Sequence, residues 1–117
     1  MEVLRGEVWW ANLPVPERSE PGYQRPVVIV QSDRLNRSRI ATVAVVSITT
    51  NMRWANAPGN VLIPASASGL RRDSVANASQ LSAVDRSVLV KRIGRLSKPL
   101  MADVDIGLRL VLALDGG

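Results

Sequence analysis

Short runs of apolar and β-branched residues, separated by polar or proline-containing segments, make up most of the chain. Such runs are typical of β-strands. They predict strands over 7–13, 26–31, 41–48, 60–63, 73–80 and 91–96. The run at 26–31, Pro-Val-Val-Ile-Val-Gln, has no polar alternation and predicts a strand buried on both faces. The run at 73–80 is mixed in composition, so we expect a short strand that is partly exposed.

From Ser97 onward the apolar residues recur every three or four positions, which predicts an amphipathic helix. The recurring residues are Leu100, Met101, Val104, Leu108, Val111 and Leu112. We expect Ser97 or Lys98 to cap the helix, Pro99 to lie in its first turn, and the helix to end at 114–116. Gly107 costs a helix about 1 kcal/mol relative to alanine. Its presence therefore indicates that another segment packs closely against the helix.

The remaining segments are predicted as connections. They are the proline-rich loop 14–24, the basic loop 32–39, the small-residue loop 65–69 and a helical turn at 85–89. A loop as long as the first is often functional in a compact domain. Five to seven short strands followed by one helix predict a single α+β domain over residues 1–117. Its sheet is expected to be strongly bent or closed into a small barrel.

Two absent residue types exclude several classes of function. The chain has no cysteine and no histidine. Disulfides, thiolate metal sites, thiol nucleophiles and a Ser-His-Asp triad are therefore excluded. No phosphate-cradling glycine motif appears, and we expect no cofactor. A metal site could use only carboxylates and carbonyls, which suits magnesium or calcium. No apolar run reaches the ~18 residues of a membrane span, and the N-terminus is unlike a signal peptide. These features predict a cytoplasmic protein that does not enter the membrane.

The charge of the chain suggests an anionic partner. There are 15 Lys and Arg residues against 10 Asp and Glu, a net charge of +5, and only Lys91 and Lys98 are lysine. Arginine grips phosphate through a planar fork, so an arginine-rich small domain suggests nucleic acid as the partner. A GC-rich genome, which favours arginine codons, would give the same composition without that function.

Two strong strands begin or end in polar residues that suit phosphate chemistry. Arg25 precedes the strand at 26–31, and Thr49 and Thr50 follow the strand at 41–48. If these strands pair antiparallel, the start of one lies beside the end of the other. A guanidinium and a hydroxyl at one rim could hold a phosphoryl group. Alternatively, Arg25 caps a strand end and Thr49 is an ordinary turn residue.

Further candidates lie in the loops. In the long loop, Ser19 and Glu20 come shortly before Arg25, and Glu20 could pair with Arg25 or accept a substrate proton. Tyr23 is a candidate for stacking on a base. Asn36, Arg37 and Arg53 are candidates for RNA contacts, or for a solvated face if no nucleic acid binds.

Six blocks of sequence resemble one known family. They are R-G-E-V-W-W-A-N-L at 5–13, S-E-P-G-Y-Q-R-P at 19–26, V-V-I-V-Q-S-D-R-L-N at 27–36, V-S-I-T-T-N at 46–51, G-N-V-L-I-P at 59–64 and G-L-R-R-D-S-V-A-N at 69–77. In order and spacing these blocks resemble the MazF/PemK family of type II toxin endoribonucleases, called mRNA interferases. The resemblance covers nearly the whole chain.

The resemblance implies an SH3-like antiparallel β-barrel of the plasmid-maintenance-toxin type with a C-terminal α-helix, acting as a homodimer. It implies sequence-specific cleavage of single-stranded RNA without metal, and a cognate antitoxin that blocks the RNA groove. Arg25 and Thr49 match the family's catalytic residues, and Ser19 and Glu20 match a loop over the groove. Some members carry a histidine near the active loop, and this chain has none.

The mechanism implied is attack of the RNA 2′-hydroxyl on the adjacent phosphorus, giving a 2′,3′-cyclic phosphate and a 5′-hydroxyl. Arg25 would neutralise developing charge and Thr49 would donate a hydrogen bond, while the general base is either Glu20 or a water. The alternative is a non-catalytic toxin of the CcdB type, which binds gyrase largely through a helix ending in an aromatic. The tail of this chain has no aromatic residue. A third possibility is a simple nucleic-acid-binding module.

Overall fold

The computed structural model describes residues 2–13 and 24–116. Within them, one sheet contains the strands β1 (Glu7–Asn12), β2 (Gln24–Ile29), β3 (Thr42–Thr49), β4 (Val61–Ile63), β5 (Ser74–Asp85) and β6 (Leu89–Arg95). The helices are α1 (Asp33–Asn36), α2 (Ala65–Ser68) and α3 (Lys98–Leu112), and short 3₁₀ turns occur at Met52–Trp54 and Arg86–Val88.

The sheet is antiparallel and strongly curled. Its strands follow the order β4-β5-β3-β2-β1-β6, and each neighbouring pair is antiparallel. The register shifts once between β3 and β5 and twice between β1 and β6. Such irregularities bend strands and increase their twist. The curled sheet with its C-terminal helix confirms the predicted α+β, barrel-like fold.

The two edges of the curled sheet approach one another where α2 meets β6. A methyl group on Gly94 of β6 would lie 2.5 Å from the backbone oxygen of Ser68 at the end of α2. Only a residue without a Cβ allows this backbone contact. Gly94 therefore lets the segment after β4 close against the other edge strand.

Both faces of the central strands are buried, as the unbroken apolar run at 26–31 predicts. On one face, Val28 and Val46 pack in a cluster with Met101 and Val104 of α3. On the other face, Val27 packs in a second cluster of aliphatic residues and Trp9. The centre of the sheet therefore contributes to two apolar layers, and its polar residues lie at the strand ends.

α3 confirms the predicted C-terminal helix. The Ser97 side chain accepts a hydrogen bond from the backbone N–H of Leu100 at 3.3 Å. The helix ends earlier than expected, at a left-handed Ala113 with a φ of 55°. Gly107 faces the turn at Gly59, and a Cβ there would lie 2.0 Å from the Gly59 carbonyl oxygen. The close approach inferred from Gly107 is confirmed.

Three predictions from the sequence pattern need correction. The predicted loop 32–39 contains α1, which Ser32 caps, and the predicted loop 65–69 contains α2, which ends at a left-handed Gly69. The strand expected at 73–80 is the longer β5, and its first five residues are buried because it lies between β3 and β4. Most of the proline-rich segment 14–24 lies outside the described residues, and its last residue, Gln24, begins β2.

Candidate active site

The pairing of β2 with β3 brings Arg25 and Thr49 together. The register pairs Val27 with Ser47. The paired residues of β2 and β3 run only as far as this pair, and Arg25 of β2 and Thr49 of β3 each lie two residues beyond it. Residues two apart on a strand project to the same face, so both side chains start from the face of Val27 and Ser47. The guanidinium and the hydroxyl therefore start from neighbouring positions at one rim of the sheet.

The hydroxyl of Thr49 is oriented by the turn that follows it. Its Oγ1 accepts a hydrogen bond from the backbone N–H of Asn51 at 3.1 Å. Asn51 in turn caps the 3₁₀ turn by accepting from the backbone N–H of Arg53 at 3.2 Å. A hydroxyl that accepts in this way keeps its own proton to donate. Thr49 therefore retains a hydroxyl proton that it can donate to a ligand.

Arg25 and Thr49 line the same cavity, which has a volume of about 620 Å³. The other lining residues are Trp10, Gln24, Pro26, Ile48, Thr50, Gly69, Leu70, Arg71, Arg72, Ser74, Lys91, Arg92 and Ile93. This size falls within the ~300–1,000 Å³ typical of ligand pockets. The cavity combines apolar and aromatic side chains with a charged rim, which suits a ligand that carries both rings and phosphates.

The charge of the cavity has one sign. Besides Arg25, the cations are Arg71 and Arg72 from the segment before β5 and Lys91 and Arg92 from β6. Among the described residues that line the cavity, none is acidic. Clefts lined by one sign of charge concentrate ligands of the opposite sign. The arrangement therefore favours a polyanion.

The cations from β6 and from the segment before β5 were not predicted as site residues. In the sequence, Arg71 and Arg72 belong to the block at 69–77, and Lys91 and Arg92 belong to the strand predicted at 91–96. Their place depends on β6 pairing with β1 and on α2 meeting β6. No local pattern in the sequence indicates that pairing.

The structure places only some of the other predicted site residues at the cavity. Thr50 is exposed and lines the cavity beside Thr49. Ser19, Glu20 and Tyr23 lie outside the described residues.

Asn36, Arg37 and Arg53 do not line the cavity. Asn36 is only 5% exposed, and its amide hydrogen-bonds Gln31 and Asp33. These bonds tie α1 to the end of the preceding strand segment. The polar segment that we expected to be a loop is this helix, so Asn36 has a structural role. Arg37 is exposed at the end of α1, and Arg53 is exposed in the 3₁₀ turn. We therefore leave these three residues out of the proposed site.

A second polar network joins the N-terminal segment to α1 and α3. The backbone N–H of Arg5 donates to Asp33 Oδ1 at 2.7 Å, and the Arg5 guanidinium pairs with Asp105. The hydrogen bond from the Arg5 backbone lowers the pKa of Asp33, and partial burial opposes that effect. A second bond, from Asn36, also lowers this pKa. The network lies apart from the cavity and is structural.

The described residues lack the features of two other classes of protein. In residues 2–13 and 24–116, no group of three or more Asp, Glu, His or Cys side chains is placed to hold a metal ion. No helix in the described part of the chain is long and apolar enough to cross a membrane.

The curled sheet, the C-terminal helix and the basic cavity define a small barrel-like domain with a cationic cavity at one rim of its sheet. A sequence profile of the PemK-like, MazF-like toxins of type II toxin–antitoxin systems matches residues 4–112. The chain is 44% identical over 114 residues to endoribonuclease MazF2 of Mycobacterium bovis, covering 97% of this chain and 100% of that protein. It is 38% identical over 114 residues to endoribonuclease EndoA of Bacillus subtilis, covering 97% of each.

Solved structures agree with this similarity. A mycobacterial endoribonuclease in complex with its cognate antitoxin superposes with a TM-score of 0.77 at 27% identity, covering 96% of each chain. A MazE–MazF complex from Deinococcus radiodurans superposes with a TM-score of 0.78 at 19% identity, over 97% of this chain and 98% of that one, which supports the fold. The chain belongs to the PemK-like, MazF-like toxin family of type II toxin–antitoxin systems.

Proposed function

We propose that this protein cleaves single-stranded RNA by internal transesterification, with Arg25 and Thr49 acting on the scissile phosphate. The chain is an endoribonuclease toxin, in keeping with its family and with relatives that match it over nearly their whole length. The observation that carries the proposed chemistry is that Arg25 and Thr49, from two adjacent strands, line one cationic cavity. A positive charge and a hydroxyl donor are the groups that a pentacoordinate phosphorane needs.

The reaction needs little covalent chemistry from the protein, because RNA supplies its own nucleophile. The 2′-oxygen forms a bond to phosphorus while the bond from phosphorus to the 5′-oxygen breaks. The 2′-proton passes to a base, and the leaving 5′-oxygen gains a proton. The products are a 2′,3′-cyclic phosphate and a 5′-hydroxyl.

Each of the two residues has a distinct role in this scheme. The Arg25 guanidinium neutralises charge that develops on the non-bridging oxygens, and the Thr49 hydroxyl donates to one of them. Arginine stays protonated at neutral pH and is a poor base. We assign the base to Glu20 or to a positioned water. Because Arg25 supplies the positive charge, we propose that cleavage requires no metal.

The nature of the RNA follows from the form of the cavity. The partly exposed Trp10 and Ile93 offer apolar surface to rings, and the cations around them attract phosphates. Sequence-specific recognition of RNA mostly uses unpaired bases whose faces and edges are accessible. We therefore propose single-stranded RNA, cut at a short sequence motif, as the substrate.

End mapping of cut RNA tests the proposal directly. An RNA oligonucleotide pool is incubated with the purified protein in EDTA, and the ends are identified by mass spectrometry and kinase labelling. We expect cyclic phosphate and 5′-hydroxyl ends at one motif. The same RNA with a single 2′-deoxynucleotide before the cut site should remain intact. Unchanged cleavage of the deoxy-substituted RNA would exclude this mechanism.

Substitutions at the two residues separate catalysis from binding. Removing one positioned charge or donor often lowers kcat about 10²–10³-fold. Arg25→Ala and Thr49→Val should show losses of this order, whereas Thr49→Ser should retain most activity. Arg25→Ala should still bind RNA, which distinguishes an enzyme from a simple binding module. Full activity of Arg25→Ala would refute the assignment.

We further propose a cytoplasmic homodimer that a cognate antitoxin inhibits by covering the cavity. A solved relative is bound to its cognate antitoxin. Apolar side chains of α3 are exposed, with Ile106 at 59% and Leu110 at 52%. Light scattering after gel filtration should give twice the monomer mass, and Leu110→Asp should lower it. The CcdB-type alternative predicts toxicity that survives Arg25→Ala.

A further inference from the structure

We propose that Arg92 is a second phosphate-binding residue of this cavity, and that the buried carboxylate of Glu7 is the group that positions it. The inference rests on the proposed cleavage of RNA. It adds a contact to the strand at a phosphate beside the scissile one.

Glu7 is unusual among the acidic residues of the described chain, because it alone among them is buried. Its side chain is 3% exposed. Oε1 accepts from the backbone N–H of Leu4 at 2.7 Å and from Trp9 Nε1 at 3.2 Å. Oε2 accepts from Arg92 Nη1 at 3.0 Å. An isolated charge in such a place is costly, so the three donors hold the carboxylate in one orientation.

Arg92 contacts both the buried Glu7 carboxylate and the cavity. Its side chain is 62% exposed, and Arg92 lines the cavity that Arg25 and Thr49 share. The contact with Glu7 uses one nitrogen of the guanidinium. The other N–H groups of an arginine are arranged in a fork that suits phosphate oxygens. Arg92 can therefore bind a phosphate without giving up its contact with Glu7.

Arg92 and Arg25 approach the cavity from the same face of the sheet. Arg92 lies opposite Trp9, and Trp9 lies opposite Val27. Val27 is two residues from Arg25 on β2, so both arginines project to one face. Two strand spacings and two residues separate them, which corresponds to about 12 Å between their Cα atoms. Because Glu7 holds the Arg92 guanidinium near the first strand, we assign Arg92 to a phosphate beside the one that Arg25 contacts.

Anchoring gives Arg92 a role beyond its charge. A free arginine side chain loses rotational freedom when it grips a ligand, and a side chain already held by Glu7 loses less. Glu7 does not reach the substrate in this scheme and acts only through Arg92. Removing the charge of Glu7 should therefore weaken RNA binding only while Arg92 is present.

Binding to a 2′-deoxy-substituted oligonucleotide measures this effect without cleavage. Arg92→Ala should raise Kd about tenfold, as loss of a charged hydrogen bond does. It should also make the slope of log Kd against log salt shallower by about 0.7. Glu7→Gln should raise Kd about threefold in the native background and have no effect beside Arg92→Ala. On cleavable RNA, Arg92→Ala should raise KM and leave kcat within about twofold.

Arg95→Ala is the matched control, since Arg95 lies on the same strand and carries the same charge. It lines a separate depression with Arg5 and Asp33. Equal effects of Arg92→Ala and Arg95→Ala on Kd and on the salt slope would overturn the proposal. So would a Glu7→Gln effect that persists without Arg92.

Two further outcomes are distinguishable. If Glu7→Gln fails to fold, Arg92→Lys replaces it, because lysine keeps the charge without the fork. A Kd for Arg92→Lys equal to that of the native protein would overturn the fork contact. If the native protein binds RNA but never cuts it, the proposed function is wrong. The effect of Arg92→Ala on Kd then still decides whether Arg92 contacts a phosphate.

Discussion

Replacing Gly107 by alanine tests how closely α3 must approach the rest of the domain. A Cβ at this position would lie 2.0 Å from the Gly59 carbonyl oxygen and 3.0 Å from its carbonyl carbon. Both atoms belong to the backbone, so no side-chain rotation relieves the contact. Gly59 itself has a φ of +83°, which glycine adopts without steric cost and which the turn requires. Either α3 or this turn has to move by about an ångström to reach ordinary contact distances.

Two opposing effects set the magnitude. Alanine is favoured over glycine in a helix interior by about 1 kcal/mol. Overpacking a close contact costs about 1–3 kcal/mol, and more where the backbone has to shift. Moving α3 would also disturb Met101 and Val104, which belong to the core. Because the blocking atoms are backbone, the cost lies at the upper end of this range, and we expect Gly107→Ala to lower the free energy of unfolding by about 2 kcal/mol net.

Urea unfolding, followed by tryptophan fluorescence, measures this difference. The protein concentration has to be held constant, because dimerisation would contribute to the measured stability. Ala102→Gly is the control, since Ala102 is exposed on α3 and its change reports helix propensity alone. That control should lose about 1 kcal/mol. If Gly107→Ala proves as stable as the native protein or more stable, close packing at Gly59 is not what requires glycine.

Three further predictions follow from charges and contacts. Because the pKa of Asp33 is lowered in the folded state, the unfolded chain binds more protons below about pH 4, and stability falls there. Asp33→Asn should therefore lose less stability than the native protein between pH 7 and pH 3, measured as the difference between the urea midpoints at the two pH values. An equal difference in the two proteins would contradict this prediction. If four or five of the cavity's cations contact phosphates, the slope of about −0.7 per contact predicts RNA binding roughly 50- to 130-fold weaker at 200 mM than at 50 mM salt. A loss of RNA affinity of less than about fivefold between these salt concentrations would argue against these phosphate contacts. Gly94→Ala should destabilise the domain by about 1–3 kcal/mol, because Ser68 blocks its methyl group, and an unchanged melting temperature would disprove that.

The sequence predicts the regular core well because burial leaves a strong local pattern. β2 and β3 are buried on both faces, and their residues form nearly unbroken apolar runs. α3 has the three- and four-residue period of a helix with one buried face. The short α1 has no such period, and its end is held from far along the chain. Arg86 Nη2 donates to the backbone oxygen of Asn36 at 2.7 Å across 50 residues of sequence.

The candidate site is predictable only where it depends on neighbouring strands. Arg25 and Thr49 flank two adjacent apolar runs, so simple antiparallel pairing is enough to bring them to one rim. Arg92 is different, because its partner Glu7 lies 85 residues away and β6 pairs with the first strand. That placement results from the closure of the curled sheet, which a single-strand pattern does not encode.

The same alternation that packs the core also fixes the register of the site. Val27 lies two residues after Arg25, and Ser47 lies two residues before Thr49, on the face that carries the second apolar cluster. A slip of one residue would turn every side chain of a strand to the opposite face. It would move Val27 out of the second apolar cluster to the face of the first, and it would also carry Arg25 away from Thr49. Packing that buries the strand centres therefore holds the guanidinium and the hydroxyl in register, so the site needs no separate device to align them.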